Sequence, residues 1–158
     1  MAYVIGSLAN YFIDQVNLKT HLELIKNSYF ALTGEVLPLD SNLNLIQAFD
    51  YCSYAIATHD ISPEPLFNYA NRAALNLFKM TSQAMIGLPS KKSASLSNQE
   101  ERAVLLREVT EHGLIKHYQG KRIASDNSIF QIEDATVWNL INNENIYCGQ
   151  AVIIFKVS

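Results

Sequence analysis

Residues 114–157 read LIKHYQGKRIASDNSIFQIEDATVWNLINNENIYCGQAVIIFKV. Three runs in this stretch have the composition of β-strands: Leu114–Ala124, Ile129–Ile141 and Ile146–Val157. They are separated by Ser125-Asp126-Asn127-Ser128 and by Asn142-Asn143-Glu144-Asn145. Asn and Asp tolerate positive φ and bond to their own backbone, so both separators are expected to be hairpin turns. In the middle run, period-2 alternation puts Phe130, Ile132, Trp138 and Leu140 on one face and Gln131, Glu133 and Asn139 on the other. Three sequential antiparallel strands make a meander.

Upstream of the meander, Asn98 followed by Glu101 predicts a capped helix that runs to His112, with Leu105, Leu106 and Val109 as its apolar face and Gly113 as its stop. Residues 90–97 (SKKSASLS) read as a polar loop. Tyr54–Thr58 and Leu66–Ala70 read as two short strands, joined by a loop that Pro63 and Pro65 stiffen. Asn71 is placed to cap a helix over Arg72–Phe78, with Leu75 and Phe78 inward, and Ser82 to cap a single turn that ends at Gly87. A helix is expected over residues 20–33, capped by Thr20 and closed by Gly34, with Leu22, Ile25, Tyr29 and Leu32 along one face. Residues 41–49 suggest a short helix capped by Ser41. Residues 1–18 suggest a mildly amphipathic one with Val4, Ile5, Leu8, Tyr11 and Phe12 together. The fold class that follows is α+β: a five-stranded antiparallel sheet with short helices on one face. A helical N-terminal extension (1–40) precedes the domain proper (41–158).

Composition bounds the partners. The chain has 158 residues, 49% apolar, with 12 Lys or Arg against 15 Asp or Glu, a net charge of −3. It can bury a sizeable core and is not a disordered chain. No basic excess exists to neutralise phosphates, so no nucleic acid is expected as a partner. Charged residues make up 17%, below the roughly 25% usual for a domain. The scarcity is local: Asp14 is the only charge before Lys19, and between Asp40 and Glu64 only Asp50 and Asp60 are charged. That lightly charged region is where a second subunit is expected, making a homodimer. The first residues lack the basic start of a signal peptide and the length to span a bilayer, so a cytoplasmic protein without a membrane partner is expected. Cys52 and Cys148 read as buried filler rather than as a disulfide framework.

Catalytic and metal motifs are sparse. His21, His59, His112 and His117 have no metal-ligand spacing, and no HExxH, CxxC, GxSxG or GxGxxG occurs. Ser53, His59 and Asp60 could be assembled into a triad on paper, but a His and an Asp adjacent in a turn rarely orient each other. No catalytic residue is assigned. The alternative is a small-molecule enzyme with His59 or His117 as base.

The order strand–strand, short helices, longer helix, three-strand meander matches the PAS fold. Particular words sharpen the likeness: Pro65-Leu66-Phe67-Asn68-Tyr69-Ala70-Asn71-Arg72-Ala73-Ala74-Leu75, Leu88-Pro89-Ser90 with Ser93-Ala94, and Glu101-Arg102 with Leu105-Leu106. Tyr118-Gln119-Gly120-Lys121-Arg122-Ile123, Ala135-Thr136-Val137-Trp138-Asn139-Leu140 and Gly149-Gln150-Ala151 add to it. Over about residues 20–157 the chain resembles the MEKHLA domain, a PAS-like family found in certain plant homeodomain–leucine zipper regulators and as stand-alone bacterial proteins; it looks like the stand-alone bacterial kind. The resemblance implies a sensory or interaction role and names no cofactor. Flavin photochemistry of the PAS-like photoreceptors needs a reactive Cys shortly after the Asn71 position, and none is there. His112 is the nominal match to a haem-ligating His, and a place at a helix C-terminus accounts for it equally well.

The resemblance also marks a candidate ligand site: Asn68, Tyr69, Asn71, Arg72, Tyr118, Arg122, Trp138, Asn139 and Gln150. In PAS domains the cavity lies between sheet and short helices, where Asn139, Gln150 and Arg72 could orient a small polar or carboxylated ligand. Each also has a plain structural role open to it. Asn71 can be a helix cap, and Trp138 can pack on the sheet with its indole N–H on one partner. Arg72, Arg122 and Glu133 can form ion pairs at the sheet edge.

Overall fold

The computed structural model describes residues 8–158, with side chains from residue 17 onward. The face expected of Val4, Ile5, Leu8, Tyr11 and Phe12, and most of the homodimer surface expected of residues 1–18, fall on side chains outside the described residues.

A single helix, α1 (Leu8–Thr33), comes first and is followed by α2 (Leu45–Asp50). Two strands, β1 (Ala55–His59) and β2 (Phe67–Ala70), lead into the short helices α3 (Arg72–Phe78) and α4 (Ser82–Met85). Two 3₁₀ turns, Ser90–Ser93 and Leu96–Asn98, precede α5 (Gln99–His112). The meander is β3 (Leu114–Ile123), β4 (Ile129–Ile141) and β5 (Tyr147–Val157). All neighbours pair antiparallel in the order β2-β1-β5-β4-β3, the sheet expected from the sequence.

The two faces of the sheet are covered differently. On the outer face, Leu22, Ile25 and Tyr29 of α1 pack with Phe49, Ile56, Trp138, Leu140 and Ile153. Ser28 stitches the same helix to β4, its hydroxyl donating to the Ile141 carbonyl and accepting from the Ile141 N–H, both at 3.0 Å. On the inner face, Phe67, Phe78, Leu105 and Val109 pack over Ala55, Ala57, Ile132, Ala135, Val137 and Ile154. Part of the lightly charged stretch between Asp40 and Glu64, namely Ala48, Phe49, Cys52 and the strand Ala55–His59, is buried within its own chain. Among the described residues no helix is long and apolar enough to cross a membrane.

Several local expectations change. α1 passes through Thr20 without a break, so Thr20 is no cap. Asn44, not Ser41, caps α2, and Thr81, one residue before Ser82, caps α4. The Asn98–Glu101 capping box does not form: Asn98 makes no side-chain cap bond, and Glu101 accepts from the Tyr118 hydroxyl at 2.8 Å. β4 does not keep one alternation along its length. Its pairing with β5 slips at Ile132/Asp134 and Asp134/Ala135. A one-residue slip exchanges the faces of everything beyond it. Phe130 and Ile132 thus belong to the inner cluster, and Trp138 and Leu140 to the outer one.

Asn71 ties three elements together. Its Oδ1 accepts from the N–H groups of Ala74 (3.0 Å) and Ile56 (2.9 Å), and its Nδ2 donates to the carbonyls of Phe49 (3.0 Å) and Tyr54 (2.9 Å). The residue is fully buried. Asn71→Ala strips a cap and leaves buried backbone groups without partners, so urea denaturation is expected to show a loss of about 2–4 kcal/mol. Arg72→Ala next door removes a half-exposed ion pair to Asp50 and is expected to cost less than about 1 kcal/mol.

Candidate functional site

Between the inner face of the sheet and the helices α3 to α5 lies a cavity of about 70 Å³. Its walls are mostly apolar, with Phe67, Phe78, Leu105, Ile132, Val137 and Ile154 among them. Seven polar residues interrupt them: His59, Ser93, Arg102, Tyr118, Arg122, Gln150, and Thr58, whose hydroxyl is bonded to His21 and Asn68.

Each arrives there for a local reason. His59 is the last residue of β1 and follows Ala57 on the inner side. Gln150 pairs with it across the β1–β5 ladder. The preceding Gly149 has φ +139°, and a Cβ there would fall 2.2 Å from the His59 carbonyl oxygen, so only glycine lets the two strands approach this closely. On α5, Arg102 shares one helical face with Leu105, Leu106 and Val109, at i, i+3, i+4 and i+7, and is carried inward with them. Tyr118 and Arg122 sit at buried positions that alternate with exposed ones along β3. The Tyr118 ring folds over Gly120, where any side chain would collide with it.

A continuous hydrogen-bond chain runs along the cavity wall. The Arg102 guanidinium donates to Ser90 Oγ at 2.7 Å. Ser90 Oγ is 2.7 Å from His59 Nδ1, and His59 Nε2 is 3.0 Å from Gln150 Oε1. Because the Gln150 amide oxygen can only accept, the neutral imidazole carries its hydrogen on Nε2, and its bare Nδ1 accepts the Ser90 proton. Gln150 Nε2 then faces the Leu106 carbonyl, Thr110 Oγ1 and Asn139 Oδ1 at 3.1–3.2 Å, and Asn139 Nδ2 donates to the Thr110 carbonyl at 3.3 Å. Ser90 itself is fully buried, and Ser93 donates to its carbonyl at 2.8 Å.

The charges are set by burial and by each other. His59 is held down to about 4, first by burial and then by the Arg102 charge, with Gln150 and Asp60 opposing. Arg102 is held down to about 10 by burial and by the neighbouring Arg122, so it remains a cation at neutral pH. Arg122 lies 5.4 Å from the Tyr118 ring centroid and donates to the Lys121 carbonyl at 2.7 Å. Burial is also the main cause that raises the Tyr118 phenol, which stays neutral.

Of the residues singled out in the sequence, the structure brings Tyr118, Arg122 and Gln150 to the cavity, with Asn139 directly behind Gln150. The others lie elsewhere. Arg72 is at the surface, 3.0 Å from Asp50 and stacked on Tyr51, because the first turn of α3 points it outward. Asn71 is spent on backbone groups. Asn68 accepts from Thr58, and Tyr69 packs beside His21 and Phe49 on the outer side. Trp138 is on the outer face for the bulge reason given above, edge-on to Tyr29, and its Nε1 has no hydrogen-bond partner among the described residues, against the one partner expected. Arg72 and Glu133 do form ion pairs, with Asp50 and Lys156, whereas Arg122 forms none among the described residues. The Ser53–His59–Asp60 set does not assemble: the Asp60 carboxylate accepts from the N–H groups of Ser62 and Leu66 while the His59 ring faces Ser90 and Gln150. His112 is exposed, and His117, also exposed, lies 3.2 Å from Asp134. Sequence reasoning missed Arg102 and Ser90. The signal for Arg102 was present in its helical spacing with Leu105, Leu106 and Val109.

Acid is expected to destabilise the fold through His59. The unfolded chain takes up a proton near pH 6.5 and the folded chain only near 4, so stability falls as pH drops through that window, by on the order of 2 kcal/mol at pH 5. His21, lowered by its own burial, adds in the same direction. Thermal denaturation at pH 7 and pH 5 checks this: His59→Asn is expected to flatten the acid limb, and an unchanged slope would count against it.

Three comparisons bear on this geometry. A family model described as the MEKHLA domain matches residues 19–158. Among curated proteins none matches. Among solved structures, the PAS domain of a Colwellia psychrerythraea protein is 18% identical, with a TM-score of 0.61 over 70% of this chain and 92% of that one. A light-oxygen-voltage domain studied with a flavin analogue is 17% identical, with a TM-score of 0.61 over 74% and 87%. The PAS domain of a LuxR-family transcriptional regulator from Burkholderia thailandensis, in complex with ethanol, is 14% identical, with a TM-score of 0.55 over 70% and 96%. At these identities the structural neighbours show a shared PAS-like fold.

Proposed function

The chain belongs to the MEKHLA domain family, and on that premise we propose that it is a PAS-like sensory module whose cavity receives a small ligand. The observation that carries the reading is the chain of buried polar groups from Arg102 through Ser90 and His59 to Gln150, built along the wall of a void. A core needs no such chain. Apolar side chains of similar volume stabilise a fold as well or better, so a polar network kept around a cavity points to use. Ethanol bound to the Burkholderia thailandensis neighbour is a precedent for a compound of that size in this fold. Occupancy has a route outward: His59 and Gln150 belong to β1 and β5, whose opposite faces carry α1 through Ile56 and Ile153.

The flavin of the light-oxygen-voltage neighbour does not fit here. A cavity of about 70 Å³ is far below the roughly 300 Å³ at which drug-sized ligands begin to be accommodated. Both thiols are elsewhere: Cys52 is buried with the outer cluster, and Cys148 sits by the β4–β5 turn beside the Ile146 carbonyl.

A binding role is favoured over a catalytic one. Ser90 has a histidine beside it as a nucleophile would, but it is fully buried and is not among the cavity-lining residues. Native mass spectrometry of the purified chain tests the proposal. A small compound that leaves on denaturation is the expected result. A bare mass, together with no thermal shift from a metabolite panel, would overturn it.

A further inference from the structure

We propose that the cavity takes a short aliphatic monocarboxylate, its carboxylate held between the guanidinium groups of Arg102 and Arg122. The inference rests on the ligand-binding reading above and adds the chemical class.

Two arginines line one small void, and their guanidinium groups are close enough for the Arg122 charge to weaken proton binding at Arg102. Among the described residues no carboxylate lies within 4.0 Å of either; every ion pair found is elsewhere. Glu101, adjacent in sequence to Arg102, is bonded to the Tyr118 hydroxyl. His59 and Tyr118, the other titratable groups on the wall, are both neutral, so no protein anion answers the two cations. A buried charge without a counter-charge is costly, and a pair of like charges more so. An anion that takes both forks removes that cost and gains short, charge-assisted hydrogen bonds. Each guanidinium has five N–H donors. Arg102 gives one to Ser90, and Arg122 gives one to the Lys121 carbonyl with Tyr118 beside it, so donors remain for a ligand.

Size and lining narrow the anion. About 70 Å³ has room for on the order of five water-sized groups, which suits an acid of about two to four carbons. Phe67, Phe78, Ile132, Val137 and Ile154 complete the walls. They offer an aliphatic chain a place to be buried, and the other polar groups on the wall, Thr58, His59, Ser93, Tyr118 and Gln150, are already bonded within the protein, so no cation beyond the two arginines answers a second charge, which disfavours inorganic phosphate and dicarboxylates.

The test uses the dialysed full chain with butyrate, its neutral isostere butyramide, and inorganic phosphate, read by calorimetric titration and by thermal shift. Butyrate is expected to bind and to raise the melting temperature, with butyramide at least ten-fold weaker and phosphate without effect. Arg102→Gln and Arg122→Met are each expected to weaken butyrate at least ten-fold, and the surface variant Arg72→Gln to leave it unchanged. Without ligand, Arg122→Met is expected to melt no lower than the wild type, because it relieves a repulsion; an arginine kept for structure alone predicts a drop. Equal binding of butyramide and butyrate, or preference for phosphate, would overturn the monocarboxylate while leaving the cavity a ligand site. Should a variant fail to fold, the butyrate–butyramide comparison on the wild type still decides. If none of the probes binds and native mass spectrometry finds no bound compound, the ligand-binding reading falls with it.

Discussion

A five-stranded sheet has two apolar faces, and the structure depends on how unequally they are closed. One long helix seals the outer face. Leu22, Ile25 and Tyr29 descend from α1 onto Trp138, Leu140 and Ile153, and each complete burial contributes about 1.5–3 kcal/mol. Ser28 fixes the helix along its axis by filling both backbone valences at Ile141. With the outer face closed so firmly, the inner face can be covered by short helices and turns that do not fill it.

The inner face has the marks of a site rather than of a failed core. Its polar groups are not scattered; they are consecutive members of one donor–acceptor sequence, and each is held from behind. Ser93 supports the Ser90 turn, Thr110 and Asn139 hold Gln150, and Gly149 admits the His59 backbone to within van der Waals range. Such support costs stability if nothing ever binds, because burial and the neighbouring Arg122 both oppose the Arg102 charge, and below about pH 6.5 His59 is kept from its proton. Asn71 and the α1 packing supply the stability that offsets them.

How much of this could be read in the sequence follows from the range of the forces involved. Strand order, the meander and the Asn71 cap are local or nearly so, and their residues say as much: Asn127 and Asn145 take the positive φ expected of their turns. Gly149-Gln150-Ala151, the weakest of the quoted words alone, acquires a reason once β1 is beside it. What failed was long-range. The slips in β4 pairing between Ile132 and Ala135 put Trp138 on the other side of the sheet, and no periodicity in the strand announces them. Arg72 is marked by its place in the family-like stretch Pro65–Leu75, yet at the start of α3 it faces solvent while Ala74 takes the inward position. Arg102 was legible in principle, as a charged member of an apolar helical stripe; the eye takes such an arginine for a solvated one until a cavity appears beneath it.

Trp138 is the chain's only tryptophan, and its setting makes it a built-in optical gauge. The indole is fully enclosed between α1 and the sheet, edge-on to Tyr29 and with no partner for its N–H among the described residues. Its emission therefore belongs at the blue end of the tryptophan range. Its strand neighbours Val137 and Asn139 face the other side, one lining the cavity and one holding Gln150. A compound in the cavity never touches the fluorophore, so it can neither quench it nor absorb beside it by contact. Any change in colour on binding reports movement of β4 beneath α1, which is mechanical news crossing the sheet.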